Sequence, residues 1–169
     1  MRKTLSLAAL ALFLQACGTL PYVPTQYPLR DGLIASIDAG GPVTASNAQP
    51  STEPVIVYSY GGTKLQSDLK AITETMVQQT NGELAKWSKV RAGGQPKSIA
   101  IKVNSLLSTY GFYSWKSKIV YDATLGNGKV VSKTVTHGSG DLSQDLNGCI
   151  AEGVMFLLND AEVRAYLAE

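Results

Sequence analysis

The stretch between residues 98 and 137 constrains the fold most, because its apolar and polar side chains alternate with the period of a β-strand. Ile99, Ile101 and Val103 alternate with small or polar residues, and the run 112–125 separates an apolar face from a polar one. The apolar face of that run consists of Tyr113, Trp115, Ile119, Tyr121 and Ala123. We therefore expect a sheet with one buried face and one face in water.

A third strand is expected at 129–137, after the tripeptide Gly126-Asn127-Gly128. An Asn-Gly pair readily adopts the positive φ angles that a tight β-hairpin needs. Because the faces of 129–137 are mixed in polarity, we expect this strand at an edge of the sheet. The short connections predict that the three strands form an antiparallel meander.

A strand and a helix are expected before the meander. Five of the six residues 55–60 are β-branched or aromatic, and the run ends at Gly61-Gly62, which predicts a strand. Thr63 and Gln66 then have the spacing of a capping box, so a helix is expected to follow the strand at once.

The first helix is expected to end or break at Asn81-Gly82 and to resume as far as residue 90. A second long helix is expected after Asp141, because an apolar stripe with helical spacing follows that residue. Cys149 lies on the buried side of this stripe.

A short C-terminal helix at 161–167 completes the chain, with Asn159 and Glu162 as its expected cap. Both long helices need an apolar partner, and the meander offers one face. The elements therefore predict an α+β fold with an antiparallel three- to four-stranded sheet, two main helices packed on one face and a short C-terminal helix. A right-handed crossover would place the strand 55–60 parallel to a strand of the meander.

The N-terminal residues have the layout of a secretory signal, with a basic start and an apolar run at 5–14. A membrane-spanning helix needs roughly 20 apolar residues, so this run is too short to span a bilayer. It ends in Leu14-Gln15-Ala16-Cys17, which resembles the lipobox of a bacterial lipoprotein.

The lipobox resemblance implies that residues 1–16 are a signal peptide cleaved between Ala16 and Cys17. Cys17 would then carry a diacylglyceryl thioether and an acylated amino group, and several acyl chains make release from a bilayer negligible. Gly18 follows the cysteine in place of Asp, which by the same resemblance favours the outer membrane, with the protein facing the periplasm. The alternative is an ordinary secretory signal that is cut elsewhere, with Cys17 incidental.

The net charge of the chain argues against some classes of binding partner. The chain has 15 Lys and Arg and 13 Asp and Glu, and removal of Arg2 and Lys3 with the signal leaves 13 of each sign. A neutral chain argues against nucleic acid, which needs a basic surface, and leaves the N-terminal lipid as the membrane attachment. Cys149 has no intramolecular disulfide partner once Cys17 is lipidated, and no metal or other cofactor is expected.

Residues 17–53 are rich in proline and carry only a weak strand pattern, at 33–38. Such a stretch is expected to form an extended, mobile tether, which leaves 54–169 as the globular domain. The alternative is an irregular arm that packs along the domain, because the stretch contains sizeable apolar side chains. These are Tyr22, Tyr27, Leu29 and Ile34.

Gly61-Gly62-Thr63-Lys64 has the position of a phosphate loop, between an expected strand and an expected helix. The full spacing of the phosphate-loop motif is absent. A tight glycine turn that leads into a capped helix is therefore the simpler interpretation.

His137, Ser139 and Asp141 include the residue types of a hydrolytic triad, but they lie within five residues at one strand-to-helix turn. Members of a triad normally converge from separate elements. A solvent-facing histidine and a helix cap explain these residues, and no enzymatic activity is expected.

The densest aromatic group is Tyr110, Phe112, Tyr113 and Trp115. Tyr113 and Trp115 fall on the apolar face of their strand and are expected in the core. Tyr110 and Phe112 fall at a loop and on the polar face, which makes them candidates for contact with a partner.

The order of the elements, the lipobox and the C-terminal run 157–163 resemble small Gram-negative lipoproteins of the YajG kind, and more loosely the auxiliary lipoproteins of ABC-type transporters. The resemblance covers 55–169 and implies no catalytic residue. We expect a lipid-anchored, non-enzymatic cell-envelope lipoprotein that binds another envelope component, in the first instance a protein. The alternative is a lipid-binding or transporter-auxiliary lipoprotein, which requires an apolar cavity between the helices and the sheet.

Overall fold

The computed structural model describes residues 18–169, and the strands expected between 98 and 137 form its antiparallel meander, as predicted. The strands of this part of the chain are β1 (Thr19–Pro21), β2 (Ile37–Ala39), β3 (Val43–Asn47), β4 (Pro54–Tyr60), β5 (Thr63–Asp68), β6 (Ser88–Val90), β7 (Lys97–Gly111), β8 (Ser114–Leu125) and β9 (Val130–Ser139). Its helices are α1 (Leu69–Trp87), α2 (Leu142–Leu158) and α3 (Ala161–Ala168). The fold is therefore α+β, as the sequence predicts.

The sheet is larger than predicted and is mixed. Six of its seven strands run in the order β1-β5-β4-β7-β8-β9, and the seventh, β3, pairs in parallel with the first residues of β7. β4 also pairs in parallel with β7, at Tyr58 and Ser108, so the parallel placement of the first predicted strand is confirmed. The predicted antiparallel sheet of three to four strands understates the sheet, because β1, β3 and β5 are short strands that find their pairing partners only in the folded chain.

The expected helix start at Thr63 is wrong, because the residues that follow the glycine pair form a strand. Gly61 and Gly62 have φ angles of +58° and +85°, which allows a tight hairpin, and β5 returns antiparallel to β4. The helix begins only at Leu69, where the Asp68 carboxylate accepts a 2.7 Å hydrogen bond from the amide of Ala71.

The expected break at Asn81-Gly82 is also absent, since α1 continues without interruption to Trp87. The Asn81 side chain lies against β3, where it accepts from the Ala45 amide at 2.8 Å and donates to the Ala45 carbonyl at 3.0 Å. The asparagine that signals a helix end in sequence therefore connects α1 to a strand.

Both long helices pack on one face of the sheet, as predicted. Gly153 of α2 lies where Met76 of α1 and Tyr121 of β8 meet, and the Tyr121 hydroxyl donates a 2.8 Å hydrogen bond to the Gly153 carbonyl. Cys149 is fully buried, as expected from its stripe, and β9 lies at an edge. An irregularity in the pairing between Val103 and Ser105 changes which residues of β7 face the helices.

The stretch expected to be a mobile tether packs along the domain, so the alternative of an arm describes residues 18–53. The Tyr22 hydroxyl donates to Asn147 Oδ1 at 2.6 Å, and Gln49 Nε2 donates to the Val103 carbonyl at 2.7 Å. The side chain of Asn159 donates to the Leu33 carbonyl at 2.8 Å. Asn159 thus binds the arm, and Asp160 replaces it as the cap of α3 by accepting from the amides of Glu162 and Val163.

Candidate functional site

The turn between β7 and β8 has an unusual backbone for its residue types. Gly111 pairs with Ser114, which leaves Phe112 and Tyr113 as a two-residue turn with φ angles of +48° and +71°. Turns with two positive φ angles are usually made by Asn-Gly or Gly-Gly, because a Cβ atom clashes there and costs about 1–2 kcal/mol per residue. Two bulky aromatic residues therefore hold a strained conformation.

The two turn side chains gain almost nothing from the rest of the described protein. Phe112 is 100% exposed and Tyr113 is 93% exposed. The surface position predicted for Phe112 is confirmed, whereas the core position predicted for Tyr113 is wrong. Residues 112 and 113 form the turn, so β8 and its alternation of buried and exposed side chains begin only at Ser114.

The aromatic side chains next to the turn form a row across three strands. The ring centroids of Tyr60 and Tyr110 are 5.2 Å apart, and those of Tyr110 and Trp115 are 4.9 Å apart. Tyr110 is 37% exposed, Tyr60 is 58% exposed, and Trp115 is half-buried with its buried Nε1 lacking a hydrogen-bond partner. We call this group the aromatic tip, and it comprises Tyr60, Tyr110, Phe112, Tyr113 and Trp115.

The sequence predicts only part of the aromatic tip. It indicates surface positions for Tyr110 and Phe112, but it does not indicate that Tyr60 and Tyr113 belong to the same site. The glycine pair after Tyr60 signals that this residue ends a strand. Its contact with Tyr110 depends on the parallel pairing of β4 and β7, for which the sequence carries no local signal.

The chain enters the fold at the same end of the sheet. Thr19, the first residue of β1, pairs with Lys64, the second residue after the β4–β5 turn. Gly18 is exposed beside it. Ala16 and Cys17 lie outside the described residues, so cleavage and lipidation there stay predictions.

Lysines lie close to the aromatic tip. Lys64 is exposed next to the entry of the chain, and Lys116 is exposed on the face of the sheet opposite the helices. Lys116 and Lys118 line a groove of about 600 Å³ together with Leu107 and Thr136. This end of the molecule therefore combines exposed aromatic rings with positive charge.

The three residues that resemble a triad do not form one. His137 Nδ1 is 3.1 Å from Glu152 Oε1, while Ser139 Oγ accepts from the Asp141 amide at 3.3 Å. Asp141 caps α2, as predicted, by accepting from the Gln144 amide at 2.8 Å. Within residues 18–169 no hydrogen bond joins His137 to Ser139 or Asp141, so the arrangement offers no path for proton transfer to a nucleophile.

The glycine turn of Gly61-Gly62-Thr63-Lys64 is not a phosphate loop in this fold. A phosphate loop needs a helix N-terminus directed at the anion, and β5 follows the turn in place of a helix.

A buried carboxylate lies behind the aromatic tip and is fully occupied with structural contacts. Asp145 accepts hydrogen bonds from Ser108 Oγ at 2.6 Å, from the Ser117 amide at 3.2 Å and from Ser117 Oγ. The carboxyl group links α2 to β7 and β8, and the hydrogen bonds that it accepts explain how this polar group tolerates burial.

Between the helices and the sheet, where a lipid carrier would need an apolar cavity, Gly153 packs against Met76 and Tyr121. A groove of about 640 Å³ lies instead between the arm and α2, lined by apolar side chains such as Leu33 and Met155.

The comparisons with known proteins do not place the chain in a family. No protein-family profile matches it, and no curated protein matches it significantly. Between residues 18 and 169 no helix is long and apolar enough to cross a membrane. The same part of the chain contains no cluster of three His, Cys, Asp or Glu residues suited to a metal ion.

Proposed function

We propose that the chain is a lipid-anchored lipoprotein of the cell envelope, attached through Cys17 to the outer membrane and facing the periplasm. It acts without catalysis, by contact of the aromatic tip with another envelope component. Support for the anchor is the sequence Leu14-Gln15-Ala16-Cys17.

The observation that carries the contact is the strained turn of Phe112 and Tyr113. The neighbouring β4–β5 hairpin makes a turn with two positive φ angles from Gly61 and Gly62, without steric cost. The β7–β8 hairpin instead exposes two large aromatic rings that bury almost no surface against residues 18–169. Strain of this kind persists where it serves contact with something outside the protein.

The anchor is tested by growth with labelled palmitate. We expect label in the wild-type protein and none in Cys17→Ser, which should also leave the membrane fraction. Cys149→Ser is the matched control, because it removes the buried thiol and should keep the label. Equal membrane association of Cys17→Ser and the wild type, without any palmitate incorporation, would refute the anchor.

The contact is tested by a photoreactive amino acid placed at position 112 in intact cells. We expect a discrete crosslinked product from position 112 and none from Val130, which is 56% exposed at the other end of the sheet. Crosslinking that is absent or identical at both positions would refute a contact at the aromatic tip. Crosslinking from position 112 should be unchanged by the substitution His137→Ala.

A second candidate function is the binding of lipid for a transporter, which the groove between the arm and α2 favours. Lipid should then be extractable from the purified wild-type protein and lost in Leu33→Glu, which places a charge in the groove. Equal recovery of lipid from both proteins, beyond what the anchor itself contributes, would exclude this function for the groove.

A further inference from the structure

We infer that the aromatic tip docks into the headgroup layer of the bilayer that holds the lipid anchor, so that the folded part lies against the membrane with the β7–β8 turn directed into it. This inference rests on the proposed lipidation of Cys17. The envelope component that the aromatic tip contacts is then a phospholipid surface.

The lipid anchor would lie very close to the fold. Only Gly18 separates Cys17 from β1, and two residues of chain extend at most about 7 Å. The polar layer of each bilayer leaflet is about 5–8 Å thick. Because the stretch expected to be a tether is folded into the domain, the link from a lipidated Cys17 is too short to hold the folded part away from the headgroups.

The register of the sheet then determines which end faces the membrane. Thr19 pairs with Lys64, and Lys64 pairs with Ser59, one residue beyond the level of Ser108 on β7. Phe112 therefore lies about three residues, or about 10 Å, further along the strand direction than Thr19. A link of two residues can reach about 7 Å from Thr19, so acyl chains carried by a lipidated Cys17 can reach a height similar to that of Phe112 and Tyr113.

The lateral arrangement fits the same surface. β1 and β7 are separated by β5 and β4, and three strand spacings amount to about 15 Å. The anchor and the aromatic tip thus lie at two separate points at the same end of the sheet. Together they would limit how the domain rotates on its anchor.

The chemistry of the aromatic tip suits the headgroup region. Tyrosine and tryptophan are enriched at membrane interfaces, where an apolar ring meets polar headgroups, and Phe112 adds a fully exposed apolar side chain. Lys64 and Lys116 are exposed at the same end of the sheet as the rings and can attract lipid phosphates. A protein partner could also bind aromatic side chains. The lipid anchor, however, already places a bilayer at the level of these side chains, and nothing places a protein there.

The test uses the full-length lipidated protein, with its acylation verified by intact mass, in vesicles of phosphatidylethanolamine and phosphatidylglycerol. An environment-sensitive fluorophore is attached to Phe112→Cys, and in a second protein to Tyr113→Cys. Val130→Cys at the opposite end of the sheet is the matched control. Cys149 should stay unlabelled, because burial, with a smaller effect of Asp145, raises the pKa of its thiol to about 12.

We expect blue-shifted emission at positions 112 and 113 and strong quenching there by lipids with a nitroxide near the headgroup, with neither effect at position 130. Equal signals at both ends of the sheet would overturn the inference, as would a photocrosslink from position 112 to a protein and not to lipid in intact cells. Absence of acylation would refute the proposed function and the inference with it. An acylated protein whose labels at 112 and 113 remain in water would refute the inference alone.

Discussion

At the scale of single residues, the contrast between two hairpins at the same end of the sheet is informative. Gly61 and Gly62 adopt positive φ angles at no steric cost, whereas Phe112 and Tyr113 adopt them against the preference of any residue with a Cβ atom. Both turns close hairpins of the same sheet, so the geometry alone does not require aromatic residues. The fold therefore does not require aromatic residues at positions 112 and 113, and the proposed contact would account for their identity.

Replacing the strained pair should stabilise the protein. The double variant Phe112→Asn, Tyr113→Gly supplies a favoured turn, and we expect its free energy of unfolding to rise by about 1–2 kcal/mol. Urea denaturation followed by circular dichroism measures the change. Gly62→Ala is the matched control and should be destabilised, because it introduces a Cβ atom at positive φ. A destabilised double variant would contradict strain in the β7–β8 turn.

At the scale of elements, α3 is held to the sheet by its N-cap. Asp160 accepts from two amides of the helix and forms an ion pair with Lys133 of β9, with 2.5 Å between Nζ and Oδ2. Burial by itself would raise the pKa of Asp160, but the hydrogen bonds from Lys133 and from the amides of Val163 and Glu162 outweigh it and lower the pKa below its ordinary value. A single carboxylate thus joins the end of the chain to an edge strand.

This lowered pKa predicts a pH dependence of stability. A carboxyl group with a lowered pKa in the folded state stabilises the fold above its unfolded pKa, and this contribution is lost as the pH falls through the folded pKa. Asp160→Asn keeps a good cap but removes the charge, so we expect a loss of about 1 kcal/mol at neutral pH that shrinks below about pH 4. Unfolding curves across this range measure it, and a loss that is constant with pH would contradict the assignment.

At the scale of the whole molecule, the arm of residues 18–53 joins the start of the chain to both long helices and to the sheet. Asn147 Oδ1 of α2 accepts from the Tyr22 hydroxyl at 2.6 Å and from the Thr25 amide at 3.0 Å. Tyr27 and Gln79 of α1 are joined by a 2.6 Å hydrogen bond from the Gln79 side chain to the Tyr27 carbonyl. The position of β1, and with it the place where a lipid anchor would attach, depends on these contacts.

Truncation of the buried ring of Tyr22 should therefore release the arm. Tyr22→Ala removes a large side chain that is 8% exposed, and we expect a loss of about 3–5 kcal/mol together with new protease cleavage within residues 18–35. Limited proteolysis with mass spectrometry measures the cleavage. Tyr22→Phe keeps the ring and should cost only about 1 kcal/mol for the lost hydrogen bond. If Tyr22→Ala resists cleavage like the wild type, the arm is not held by this contact.

The candidate site was predictable only where its signals are local. Tyr110 and Phe112 are adjacent to a glycine between two strands, and this was enough to expect them at the surface. Tyr60 is 50 residues earlier in the chain than Tyr110, and their contact follows from strand pairing. The entry of β1 beside Lys64 is equally non-local, so neither the full aromatic tip nor its position relative to the N-terminus could be read from the sequence.

The sequence by itself determined the meander, the turn at Gly126-Asn127-Gly128, the Asp141 cap and the burial of Cys149, because each depends on side-chain period or on turn preference within a few residues. Tertiary structure alone decided that Thr63–Asp68 is a strand and that residues 18–53 join the fold. Short segments have weak intrinsic preferences, so their conformation is selected by whichever exposed sheet edge or apolar surface they can pair with once the rest of the chain has packed.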